Sequence, residues 1–174
     1  MRQHQLPYRR NVGVALFNKA GMVFAGRSRS AGPEIVLPGY EWQMPQGGID
    51  PHENIIDAAR RELFEETNVR SIVLLSVSPE AWTYDFPPYD GPLHHLCAFR
   101  GQAQQWVAFR FVGEENEIDV LTPKGGAPAE FSAWRWYPLA ELVGKVVPFK
   151  RAVYERVART FEHFTAGSAD GHRD

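Results

Sequence analysis

The chain has 174 residues, 44% of them hydrophobic, with a formal net charge of −2, which is enough for one domain with a real core. That balance excludes a protein that coats nucleic acid through overall positive charge, so any RNA contact has to be local. No apolar run approaches membrane-spanning length, and the opening MRQHQLPYRR has no apolar signal core. The single cysteine, Cys97, excludes an internal disulfide and reads as a buried strand residue; a cytoplasmic location is the default expectation.

In chain order, residues 12–17 (VGVALF) and 22–25 (MVFA) read as two strands around a turn over 18–21. Residues 30–41 contain Gly and Pro without periodicity and read as a loop. A helix follows, with Asp50 as the expected N-cap, Pro51 in its first position and Glu53 in the capping-box position. Ile56, Ala59 and Leu63 form its apolar stripe. Glu62 and Glu66 fall within roughly 60° of that stripe, and Asp57 and Arg61 fall on the solvated side. Asn68 suits the left-handed residue that ends a helix.

Residues 72–77 and 81–85 read as strands, 86–91 as a turn, and 96–100 and 106–112 as strands separated by 101–105. Residues 119–129 read as a Gly/Pro-rich loop and 132–137 as a strand. Val153, Val157, Phe161 and Phe164 give residues 149–164 the period of an amphipathic helix. Residues 166–174 are polar and expected to fray, leaving one domain over 1–165 and a disordered tail over 166–174. Strands, a helix, more strands and a closing helix predict an α/β fold, a mixed sheet with helices on both faces.

Glu62, Glu65 and Glu66 lie close together on one helix. Such carboxylates repel one another, and their clustering makes physical sense when a cation sits among them. A hard divalent ion such as Mg²⁺ takes oxygen ligands and brings substrate phosphates with it. Gly47 and Gly48, just before this helix, free the backbone to approach a phosphate.

Gly47, Glu53, Arg61, Glu62, Leu63, Glu65 and Glu66 stand at the spacing of the Nudix box, and the segment resembles it. The box normally continues with a Gly where Asn68 stands; both residues accept positive φ. Outside the box, residues 8–13 (YRRNVG), 42–49 (WQMPQGGI), 101–106 (GQAQQW), Glu130-Phe131, Trp134-Arg135-Trp136 and 147–154 (VPFKRAVY) resemble the bacterial RNA pyrophosphohydrolase group of that family, also called dinucleoside polyphosphate hydrolases. The resemblance runs from about Tyr8 to Phe164. That group often has Lys where Gln105 stands and Pro where Arg10 stands, and residues 30–41 are longer here than in some members.

The resemblance implies a Nudix fold, an α/β/α sandwich, and dependence on Mg²⁺ or Mn²⁺. It implies that Glu62 is a metal ligand or general base, that Glu65 and Glu66 are metal ligands, that Glu130 serves as ligand or base from the opposite side, and that Gly47 joins the metal site. Glu53 is expected to brace the loop, and Arg61 to neutralise the acidic cluster without metal. Arg9, Arg27, Lys150 and Arg151 are candidate phosphate or nucleotide contacts, and Phe149 is a candidate base-stacking residue. Trp42 is expected to support the glycine loop.

The implied reaction removes pyrophosphate from a 5′-triphosphate RNA end and leaves a monophosphate, opening the transcript to decay. Hydrolysis of diadenosine tetra- or pentaphosphate is the alternative. A catalytically silent nucleotide-binding module is the rival from another class; the complete set of Glu62, Glu65 and Glu66 argues against it. The expected partner is the RNA end or the dinucleotide, with no duplex DNA, no membrane and a monomer by default.

Overall fold

The computed structural model describes residues 2–124 and 128–167. Among them, eight strands form one mixed sheet: β1 (Tyr8–Phe17), β2 (Val23–Ser28), β3 (Trp42–Gln43), β4 (Gln46–Gly48), β5 (Ile72–Val77), β6 (Trp82–Asp85), β7 (Gly101–Phe111) and β8 (Phe131–Tyr137). Its spine runs β3-β2-β1-β7-β5, with β4 paired to β1, β6 to β7 and β8 to β2. β1 and β7 are parallel from Tyr8 opposite Gly101 to Phe17 opposite Arg110; the other pairings are antiparallel.

Side chains alternate across this sheet and build two cores. Val12, Val14 and Leu16 of β1 join Val107 and Phe109 of β7 beneath α1 (Ile55–Thr67), which contributes Ala58, Ala59 and Leu63. Ala15 and Phe17 face the other way, with Trp106 and Ala108, toward Val153, Tyr154 and Val157 of α3 (Arg151–Thr160). The α/β/α sandwich expected from the order of elements is therefore present. The short helix α2 (Leu139–Leu142) joins the second core through Leu139 and Leu142. No helix among the described residues is long and apolar enough to cross a membrane.

Several elements differ from the sequence reading. The N-cap of α1 is Asn54, whose side chain accepts from the Asp57 N–H at 2.9 Å, instead of Asp50. Asp50 still donates its backbone N–H to Glu53 at 3.1 Å, so the brace exists but closes a turn before the helix; His52 in that turn has φ 66°. The apolar stripe runs through Ala59 and Leu63 with half-buried Ile55 packed against them, while Ile56, also half-buried, is not part of that cluster. Asn68 ends the helix with φ 66°, as its residue type predicts.

Residues 96–100 are not a strand: His95–Ala98 form a 3₁₀ turn, and Cys97 is half-buried there. Residues 101–105 do not separate two strands but open β7, paired on both sides by β1 and β6. Their glutamines read as loop in sequence, yet Gln102 and Gln104 are buried. Gln104 donates to Asn11 at 2.9 Å and to Gln46 at 2.8 Å, while its own Oε1 and the Asn11 Nδ2 have no partner. The closing helix is shorter than 149–164: a 3₁₀ turn over Pro148–Lys150 precedes α3 and another over Glu162–Phe164 follows it. Trp42 packs edge-on against Tyr137, ring centroids 5.5 Å apart, rather than under the glycines. Residues 125–127 of the expected 119–129 loop, and residues 168–174 of the expected tail, lie outside the described residues.

Candidate active site

β4 brings Gln46, Gly47 and Gly48 against β1, so that α1 packs on them and its carboxylates meet the glycine backbone. A Cβ on Gly47 would lie 1.9 Å from the Glu62 carboxyl carbon, and one on Gly48 would lie 2.2 Å from Arg9 Nη2. The glycines are needed because their missing side chains make room for a carboxylate and a guanidinium. Both residues line a cleft of about 320 Å³, together with Glu62, Glu66, Glu130, Arg9 and Lys150.

Glu66 is 7% exposed, and its Oε2 has no hydrogen-bond partner. Burial pushes its carboxyl well above the usual range, the charges of Glu62 and Glu130 add to this, and the Gln46 backbone N–H opposes it. Glu62 is pushed up to about 7, first by burial and further by Glu65, against the pull of Arg61. Glu130 stands at the exposed edge of the cleft; partial desolvation and the Glu34 charge raise it. A cation among them would oppose these upward shifts.

Arg61 is not on a solvated face. It donates to Glu53 Oε2 and Oε1 at 2.8 Å each, to Glu62 at 2.8 Å, to Glu65 at 3.3 Å and to the Gly48 carbonyl at 2.8 Å. Its bonds to Glu53 hold that carboxyl at about 2. Arg61 thus neutralises the cluster, as expected of it. Glu65 is 40% exposed and meets the others through Arg61, outside the cleft wall.

Among the described residues no three His, Cys, Asp or Glu side chains converge closely enough to hold a metal ion. The donors nonetheless suit a hard divalent cation. Glu66 keeps a buried oxygen without a partner, Glu62 sits beside it at the Gly47 backbone, and every donor is oxygen.

The remaining candidates separate. Arg9 lines the cleft and donates to Gln102 at 3.3 Å. Lys150 also lines it but is buried, 2% exposed at the side chain, and ion-paired to Glu34. It donates further to Gln43 at 2.9 Å and Gln46 at 3.3 Å, so it is not a free surface cation. Phe149 is half-buried and rests 5.8 Å from the Tyr84 ring, outside the cleft wall. Arg151 lies 5.8 Å over the Tyr40 ring. Arg27 is 54% exposed, 4.0 Å from Glu41 and outside the cleft wall.

Glu34, Tyr84, Gln102 and the His94–His95 pair had no signal in the sequence beyond their residue types. Gln46 had one, its place directly before the two glycines. His94 and His95 line the cleft with rings 4.3 Å apart; burial, His94 and Arg9 hold His95 below its usual range.

Comparison with known proteins agrees with this layout. The family model described as the NUDIX domain matches residues 7–157. An RNA pyrophosphohydrolase of Nitrobacter winogradskyi is 49% identical over 168 residues, covering 97% of this chain and 98% of that one. Another, of Azorhizobium caulinodans, is 51% identical over 164 residues, covering 94% and 97%. The E. coli dihydroneopterin triphosphate pyrophosphohydrolase shares the fold with a TM-score of 0.60 at 16% identity, over 88% of this chain and 99% of that one. With the glycine turn, the carboxylates of α1 and this match across most of its length, the chain belongs to the Nudix hydrolase family.

Proposed function

We propose that this protein is an RNA pyrophosphohydrolase, active with Mg²⁺ or Mn²⁺, that removes pyrophosphate from a 5′-triphosphate end and leaves a 5′-monophosphate that marks the transcript for decay. The observation that carries the reading is the buried Glu62–Glu66 pair beside Gly47, with Arg9 at Gly48 on the same cleft. Relatives near 50% identity and near-complete coverage carry the name of this activity. Residues 1–165 act as one unit in this reading.

Nudix hydrolases use divalent cations and act on nucleotide or RNA substrates. Glu62, Glu66 and Glu130 would hold the cation, with Glu65 and Gly47 beside them. Bound there, it supplies positive charge to phosphate oxygens and acidifies a water. Glu62 would serve as ligand or, ionised, as acceptor of the attacking water's proton. Arg9 neutralises phosphate charge at Gly48, and Arg61 keeps Glu62 and Glu65 ordered before substrate arrives.

The test is parallel turnover of 5′-triphosphate RNA and of diadenosine tetra- and pentaphosphate with Mg²⁺, compared as kcat/KM. Preference for RNA, with pyrophosphate released, supports the proposal. Preference for the dinucleotides moves the role to nucleotide-pool control. Turnover of neither would leave a nucleotide-binding module.

A further inference from the structure

Glu34 does not resemble the other acids of the cleft. It comes from the loop between β2 and β3, and its side chain is 12% exposed. One oxygen accepts the Tyr84 hydroxyl and, at 3.0 Å, the Gln102 amide. The other accepts the Lys150 ammonium and makes a long 3.5 Å contact with the Gln46 amide. The donors come from β6, β7, the turn before α3, and β4. Burial alone would raise its carboxyl; Lys150, Tyr84 and Gln102 together hold it below the usual range.

Four donors from four elements around one anion form a cradle, and nothing in the cradle is specific to a carboxylate. A phosphate presents the same charged acceptor oxygens to the same kinds of donor. Lys150 is 1% exposed as a residue, and a buried ammonium needs an anion beside it. The cradle opens on the same cleft as Glu62, Glu66 and Gly47. The backbone of Glu34 is bonded only within its own turn: Ala31 N–H to Glu34 and Glu34 N–H to Ala31, each 3.1 Å. Neither bond belongs to the sheet.

We propose that Glu34 is an internal anion seated in a phosphate cradle of Lys150, Tyr84, Gln102 and Gln46, and that a substrate phosphate replaces it on binding. The identity of that phosphate rests on the hydrolase reading above; the cradle itself does not.

The test is thermal denaturation of the whole chain in rising inorganic phosphate, without divalent cation, for the parent, Glu34→Ala and the double variant Glu34→Ala/Lys150→Met. An anion that binds only the folded state raises its melting temperature according to its affinity. Glu34→Ala should be less stable than the parent in phosphate-free buffer and should regain stability with phosphate, its apparent affinity at least tenfold tighter than the parent's. The double variant should lose that gain. A folded Glu34→Ala that responds no more steeply than the parent overturns the proposal. So does a Glu34→Ala that stays unfolded with or without phosphate, because the carboxylate would then be irreplaceable. The measurement involves no RNA and no turnover. If the parent fails to cleave RNA while the phosphate response holds, the function falls and the cradle stands.

Discussion

Two carboxylates on one cleft are treated in opposite ways. Glu34 has a donor for every acceptor position and is held below its usual range. Glu66 is the more buried of the two, keeps an oxygen without a partner, and is pushed well above it. A buried carboxylate with its donors in place holds elements together. One left short of donors costs stability, and it persists where a ligand completes it. Without ligand, the floor of the cleft is satisfied by its own carboxylate, and the α1 end keeps an acceptor unsatisfied.

The strongest way to break this contrast is Glu62→Gln, which removes the proton acceptor while keeping shape. We expect kcat to fall by about 10²–10⁴-fold, with no loss of stability, as read by turnover and by denaturant unfolding in parallel. Lys150→Met should act on stability as well. It strands the buried Glu34 charge and should cost about 3–5 kcal/mol in denaturant unfolding.

The pH dependence of stability sharpens the contrast. Glu62 titrates at about 7 in the fold against 4.5 ordinarily. Between those values the folded state binds more protons than the unfolded one, so stability falls as pH rises, by at most about 3 kcal/mol. Glu66 acts in the same direction. Glu34 acts in the opposite one: its contribution is present above the ordinary carboxylate range and is lost as pH falls through its depressed value. Melting curves of the metal-free protein should therefore decline from pH 4.5 toward 7, and Glu62→Gln should flatten the decline.

Gly47→Ala sets a Cβ into the Glu62 carboxyl. Overpacking of this kind costs about 1–3 kcal/mol and should also lower kcat by displacing Glu62. Arg27→Ala should change least, within about 0.5 kcal/mol and without moving KM, because Arg27 stands outside the cleft wall. A raised KM would return Arg27 to the substrate path.

The α1 end was readable from sequence because its signals are local. Glu62 and Glu66 are one helical turn apart, Gly47 and Gly48 adjoin the helix, and Asn68 marks its end through its own backbone preference. The cleft floor was not readable, because Glu34, Tyr84, Gln102 and Lys150 are distant in the chain and meet only through the sheet. Gln102 and Gln104 show the same limit. Polar residues in a row read as loop, and only the buried partners supplied by β1 and β4 make them strand. Lys150 reads as a phosphate contact because it is a cation, and nothing near it in sequence announces the Glu34 carboxylate beside it. Helical angle alone puts Arg61 on the solvated side, but its long side chain reaches back to Glu53 and Gly48.

The most direct measurement is the melting temperature of the parent and of Glu66→Gln across a Mg²⁺ titration at pH 5.5 and pH 7.5. The parent should gain stability from the cation, more at the higher pH where the carboxylates give up their protons, and Glu66→Gln should lose most of that gain. A gain equal in both proteins, or none in either, would contradict the claim that the unpartnered acids of α1 await a cation.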